Sequence, residues 1–119
     1  MDKNELLIRT RQFAVRVFKI VEKFPQSKAA DVVAYQLLKA SSSVAANYRA
    51  VNRAKSKIDF GNKIKIVLEE SDESNFWLTF IIDIDLIKPN PELDFLINES
   101  DEFVAIFTSA LKTLNKSKI

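Results

Sequence analysis

The amino-acid sequence predicts an all-α protein, an up-down-up-down four-helix bundle in one domain over residues 1–119. Three observations carry that expectation. The 119 residues include one Gly and three Pro, too few turn formers for the tight reversals of an antiparallel sheet. Four long stretches repeat apolar residues at three- and four-residue spacing, the period of an amphipathic helix. The breaks between them are short and carry Pro or capping residues, so successive helices are expected to lie antiparallel.

The first helix is expected from Asn4 to Phe24. Leu6, Phe13, Val17, Ile20 and Phe24 form its apolar stripe, and Arg9, Arg11, Arg16, Lys19 and Lys23 take the other faces. Pro25 disfavours helical geometry at Phe24 and closes it. The second helix starts after Ser27 as N-cap and turns Ala30, Val33, Leu37, Ala40, Val44, Tyr48 and Val51 inward. Residues 40–46, Ala-Ser-Ser-Ser-Val-Ala-Ala, carry almost no bulk. Two readings fit: tight packing inside one chain, or a close contact between subunits.

The third helix opens with Ser56 as cap and Asp59 three positions on, in capping-box style. It is expected to reach Ile87, a span of about 48 Å at 1.5 Å per residue. Phe60, Ile64, Val67, Ser71, Ser74, Leu78 and Ile81 form one seam, while Ile66, Phe76, Trp77, Phe80 and Ile84 fall on flanking faces. A half-helix that is apolar nearly all round is buried on several sides, which points to an oligomer. In the fourth helix Asn90 is the cap and Pro91 the first residue, and the helix continues to about Lys116. The patch Asn98–Glu102 reads as an exposed acidic turn of one unbroken helix, with a break there as the alternative. The tail from Asn115 to Ile119 is expected to fray.

Missing residue types exclude several chemistries. There is no Cys and no His, hence no disulfide, thiol nucleophile, zinc ribbon, Ser-His-Asp triad or histidine acid/base. One glycine cannot build a phosphate-binding P-loop or a dinucleotide fingerprint. No stretch has the ~20 apolar residues of a membrane helix, and no signal-peptide pattern opens the chain, so a cytoplasmic protein without membrane contact is expected.

Charge is divided unevenly. Residues 1–65 carry 14 Lys/Arg and 5 Asp/Glu, a net of +9, whereas residues 66–119 carry 4 and 11, a net of −7. In one reading the halves attract each other within the bundle or between subunits. In the other, Arg49, Arg53, Lys55, Lys57, Lys63 and Lys65 make a basic surface around the second interhelix link that neutralises nucleic-acid phosphates. Tyr48 is a core residue or a base-stacking platform.

Three stretches stand out: Ala46-Asn47-Tyr48-Arg49, Ser56-Lys57-Ile58-Asp59-Phe60, and Glu70-Ser71-Asp72-Glu73-Ser74-Asn75-Phe76-Trp77-Leu78. With Gln36 and the serine run 41–43, their order and spacing resemble the four-helix-bundle family of 23S rRNA intervening-sequence proteins. Ala50, Glu69 and Phe76 depart from that pattern, which has Glu, Lys and Tyr at these places. The resemblance implies a homo-oligomer, a pentameric barrel around a channel, in a family with no established enzymatic activity; no cofactor is expected. A related group looks like the accessory proteins of diversity-generating retroelements, in which a basic pentamer binds nucleic acid.

Glu70 and Glu73 are three apart and share a helix face. Asn47 and Arg49 are expected to hydrogen-bond them, making a polar cluster that fixes helix register. A carboxylate-only Mg²⁺ site or a carboxylate hydrolase is the weakest reading of the same residues. The leading expectation is a non-enzymatic, homo-oligomeric RNA or nucleic-acid accessory. The alternative is a protein–protein scaffold that docks another chain on the apolar half of the third helix.

Overall fold

The computed structural model describes residues 2–116 and contains four helices: α1, Lys3–Val21; α2, Lys28–Val51; α3, Lys57–Asp83; and α4, Pro91–Lys116. Each starts where its capping residue is. Asp2 accepts from the Glu5 amide at 2.8 Å, Ser27 from Ala30 at 3.1 Å, Ser56 from Asp59 at 3.0 Å, and Asn90 from Leu93 at 2.9 Å. Each such bond satisfies an amide that the helix itself leaves without a partner.

Two C-termini fall short of expectation. α1 stops at Val21 rather than Phe24, because Pro25 biases Phe24 away from helical geometry. The last turn tightens, with the Lys23 amide donating to Ile20 and the Phe24 amide to Val21, both at 3.0 Å. α3 stops at Asp83 rather than Ile87. Asp85 adopts φ 52°, and the Leu86 amide turns back to the Ile81 carbonyl while the Asp85 amide bonds Ile82, both at 3.1 Å. This pair of bonds is a Schellman termination with aspartate in the left-handed position. α4 runs unbroken through 98–102. Asn115 and Lys116 are helical, and the rest of the expected fraying lies outside the described residues.

Helices pack in the cyclic order α1–α2–α3–α4, with α4 returning to α1 along the thinnest seam. The molecule measures 50 × 23 × 20 Å. Cross-helix partners establish the antiparallel arrangement: Arg9 meets Glu99 and Arg16 meets Glu92, so α1 and α4 advance in opposite directions. The core is the expected one. Phe13, Val17, Leu37, Val44, Val67, Leu78, Ile81, Leu96, Phe103 and Phe107 are almost completely shielded, and Phe13 meets the Phe103 ring edge-on at 5.4 Å. Phe60, expected in the seam, is instead partly exposed at the end of the bundle.

Candidate nucleic-acid interface

Antiparallel packing gathers the α2–α3 link, the start of α3 and the end of α4 at one end of the bundle. Phe60 lines a shallow pocket with Ile106, Ala110 and Leu114, and a Cβ on Gly61 would stand 2.8 Å from Leu114 Cδ2. Arg49, Arg53, Lys55, Lys57 and Lys65 are exposed at or near this end, and α4 adds exposed Lys112 and Lys116. The last two were missed from sequence. They lie in the acidic half of the chain and reach the basic end only through the return of α4.

Six cations expected to act together divide into three groups. Arg49 and Arg53 line an open groove between α1 and α2 of about 990 Å³, with Arg11 and Lys19 from α1. Lys55, Lys57 and Lys65 are exposed outside that groove. Lys63 forms a 2.7 Å ion pair with Asp59, whose other oxygen accepts from the Lys55 amide at 3.1 Å. These bonds hold the Asp59 carboxyl below its ordinary range, with Lys63 the larger cause. Much of the Lys63 charge is thereby neutralised. Tyr48 does not serve as a base-stacking platform: it is buried with its ring 5.5 Å from Phe107, and burial raises its hydroxyl pKa.

The expected polar cluster is only partly formed. Asn47 donates to the Ser43 carbonyl at 2.9 Å and to Ser43 Oγ at 2.8 Å on its own helix, rather than to Glu70 or Glu73. A side chain four residues on reaches its own preceding turn more readily than a neighbouring helix. Glu70 and Glu73 do meet. Burial raises the Glu70 carboxyl above its ordinary range, Glu73 raises it further, and Lys39 from α2 opposes the shift. Register between α3 and α4 comes from Asn75, which donates to Ser100 Oγ and Asp101 Oδ1, each at 2.9 Å.

Part of the charge asymmetry is resolved inside the bundle. Arg9 Nε donates to Glu99 Oε2 at 2.9 Å while Nη2 engages Oε1, and Glu102 stands 3.4 Å away. Glu99 is buried, which corrects the reading of 98–102 as a wholly exposed turn. Arg16 Nε and Nη2 grip Glu92 at 2.7 and 2.9 Å, with the guanidinium 3.6 Å from the centre of the Phe95 ring. The small residues also divide by face. Ala40, Ser41 and Val44 are core, whereas Ser42, Ala45 and Ala46 line the α1–α2 groove. Among the described residues no group of three acidic side chains is placed to hold a metal ion, and no helix is long and apolar enough to cross a membrane.

A four-helix bundle with this order of motifs defines a class of protein, and comparison with known families agrees. The family model described as 23S rRNA-intervening sequence protein matches residues 2–109. The chain belongs to that family. A crystal structure of a protein of unknown function from the S23 ribosomal protein family of Bacteroides thetaiotaomicron VPI-5482 is similar, with 28% identity and a TM-score of 0.82. The likeness covers 94% of this chain and 99% of the other. No curated protein matches.

Proposed function

We propose that this protein is a non-enzymatic, cytoplasmic, homo-oligomeric accessory that binds RNA or other nucleic acid through the basic end of its bundle. The pentameric state implied by the family resemblance would repeat that end around a ring. The observation carrying the reading is the gathering of exposed Arg53, Lys55, Lys57, Lys112 and Lys116 from three helix ends at one end of the bundle. Lysines and arginines placed this way act on phosphates without reading sequence, because each contact releases condensed counterions.

The test is binding of the purified protein to structured RNA and to duplex DNA across a salt series, at known assembly mass. Affinity should fall steeply with salt, and Arg53→Glu with Lys57→Glu should abolish binding while the fold is kept. Lys63→Gln should change little, since Asp59 already holds that charge. Absence of binding at low salt overturns the reading. The α1–α2 groove favours the alternative of a protein–protein scaffold in that event, because its walls are apolar.

A further inference from the structure

Among the uncovered apolar surfaces of the described residues, one on α1 and one on α3 differ in charge. On α1, Ile8, Val15 and Phe18 are 57%, 45% and 46% exposed. Their spacing of seven and three places them on one outward line, beside the groove whose α2 wall is Ala45 and Ala46. The cations on this groove are Arg11, Lys19, Arg49 and Arg53, against one acid, Glu22.

On α3, Ile66 and Phe76 are 40% and 53% exposed. Phe76 stacks on Phe80 at 5.7 Å, and Trp77 packs edge-on against both. Positions 66, 69, 73, 76 and 80 again trace one outward line. Its polar members are Glu69 and Glu73, with Glu70 and Asp72 beside them and Lys39 as the cation acting on Glu70.

We propose that the aromatic, acidic ridge of α3 in one copy of this chain seats in the apolar, basic groove between α1 and α2 of a second copy. Three features argue for a copy of the chain as occupant. Length matches: Ile8 to Glu22 and Ile66 to Phe80 each span about 21 Å at 1.5 Å per residue. Charge is complementary. The groove brings Arg11, Lys19 and Arg49, with one acid, Glu22, while Arg53, past the end of α2, stays with the basic end. They meet Glu69, Glu70, Asp72 and Glu73 on the ridge, which has Lys39 and Lys65 beside them. Shape is complementary too, since the groove wall of Ala45, Ala46 and Ser42 leaves room for phenylalanine rings. The crowded carboxylates at Glu70 and Glu73 gain from arginines brought against them.

Groove and ridge are different surfaces, so the contact is heterologous. It generates a closed ring or an open filament rather than a two-fold dimer. A ring fills every groove and every ridge. This inference rests on the homo-oligomeric reading above and adds which faces meet.

Val15 and Phe76 are both exposed, so each can be changed without disturbing the core. Val15→Asp spoils the groove alone, and Phe76→Asp spoils the ridge alone. Light-scattering mass of the wild type should show a closed multimer. Each variant by itself should be monomeric with unchanged helical circular dichroism. An equimolar mixture should give a dimer, because the intact ridge of Val15→Asp fits the intact groove of Phe76→Asp. A monomeric wild type overturns both this inference and the homo-oligomeric reading. A wild-type multimer that both variants preserve overturns the inference and leaves that reading standing, and so do monomeric variants that fail to pair on mixing. As a second measurement, the cysteine-free chain allows Val15→Cys and Phe76→Cys proteins to be mixed and oxidised. Cross-linked heterodimers should dominate, and a homodimer excess speaks against the joint.

Discussion

Arg9 on α1 and Glu99 on α4 form a two-pronged ion pair across the thinnest seam of the bundle, with Nε to Oε2 at 2.9 Å. Their side chains are 18% and 9% exposed, and the guanidinium also sits 5.5 Å from the centre of the Phe103 ring. The pair therefore reinforces the seam at which α1 also packs Phe13 against Phe103 of α4. It also locks the register that the Phe13–Phe103 packing sets, because two parallel N–H···O bonds form only when guanidinium and carboxylate are aligned in one plane.

Removing one partner leaves the other charge poorly solvated. Glu99→Ala is expected to destabilise the bundle by about 2–3 kcal/mol, at or below the low end of the range for broken buried pairs, since Glu102 still offers partial compensation. Replacing both, as Arg9→Met with Glu99→Leu, should recover most of that loss, because an apolar pair of similar volume has no desolvation penalty. Urea denaturation of the two variants beside wild type measures the difference. A double variant as unstable as Glu99→Ala alone would count against the electrostatic account.

The Arg16–Glu92 pair gives the protein an acid limit. The Glu92 carboxyl is held below its ordinary range, chiefly by its hydrogen bonds to Arg16. A depressed folded pKa contributes stability that is complete above the unfolded carboxylate value, near pH 4.5, and is lost as pH falls through the folded value. Both side chains are more than a third exposed, so solvent screening keeps the contribution under about 1 kcal/mol. Wild type should exceed Glu92→Gln by that margin at pH 7. The two should converge at the acid end of a urea-midpoint series.

Glu70 behaves with the opposite sign. Its carboxyl is raised by burial first and by Glu73 second, so the folded state favours the protonated form and loses stability as pH rises through the folded value. Glu70→Gln should stabilise the isolated bundle by about 0.5 kcal/mol at neutral pH, the scale of a like-charge pair on one helix face. The gain should shrink toward acid pH as the native carboxyl takes up its proton. The Val15→Asp background is the one to use, since arginines of a neighbouring copy would mask the effect in an assembly.

Helix identity was legible because every start carries a side-chain cap and every core face a regular period. Ser27, Ser56 and Asn90 each act where their sequence context places them. Partners across helices were far less legible. Arg9 and Glu99 are 90 residues apart, and nothing local marks Glu99 as the buried member of the run Asn98–Glu102. The register of α4 against α1 decides that, and it follows from the packing of Phe13 against Phe103. Asn47 shows the same limit in reverse. Its expected partners were on α3, but Ser43 on its own helix was nearer. The basic end was half visible, since residues 49–65 are dense in cations, whereas Lys112 and Lys116 needed the topology.

The end of α3 gives a test that depends on one dihedral angle. Asp85 sits at φ 52°, where its Cβ crowds the backbone, and it holds the position at which helix-terminating motifs usually have glycine. Asp85→Gly removes that crowding but adds freedom to the unfolded chain, a smaller opposing effect. The net expectation is a gain of about 0.5 kcal/mol, read as a rise in urea midpoint at constant slope. Asp85→Val should lose more than about 1 kcal/mol, because a β-branched side chain tolerates this region poorly. It should also weaken the return of Leu86 to Ile81. Amide hydrogen exchange at Leu86 reports that bond directly: protection should rise in the glycine variant and fall in the valine variant. Equal protection in all three proteins would mean that the turn is held by the packing of Leu86 and Ile87 against the core rather than by the conformation of Asp85.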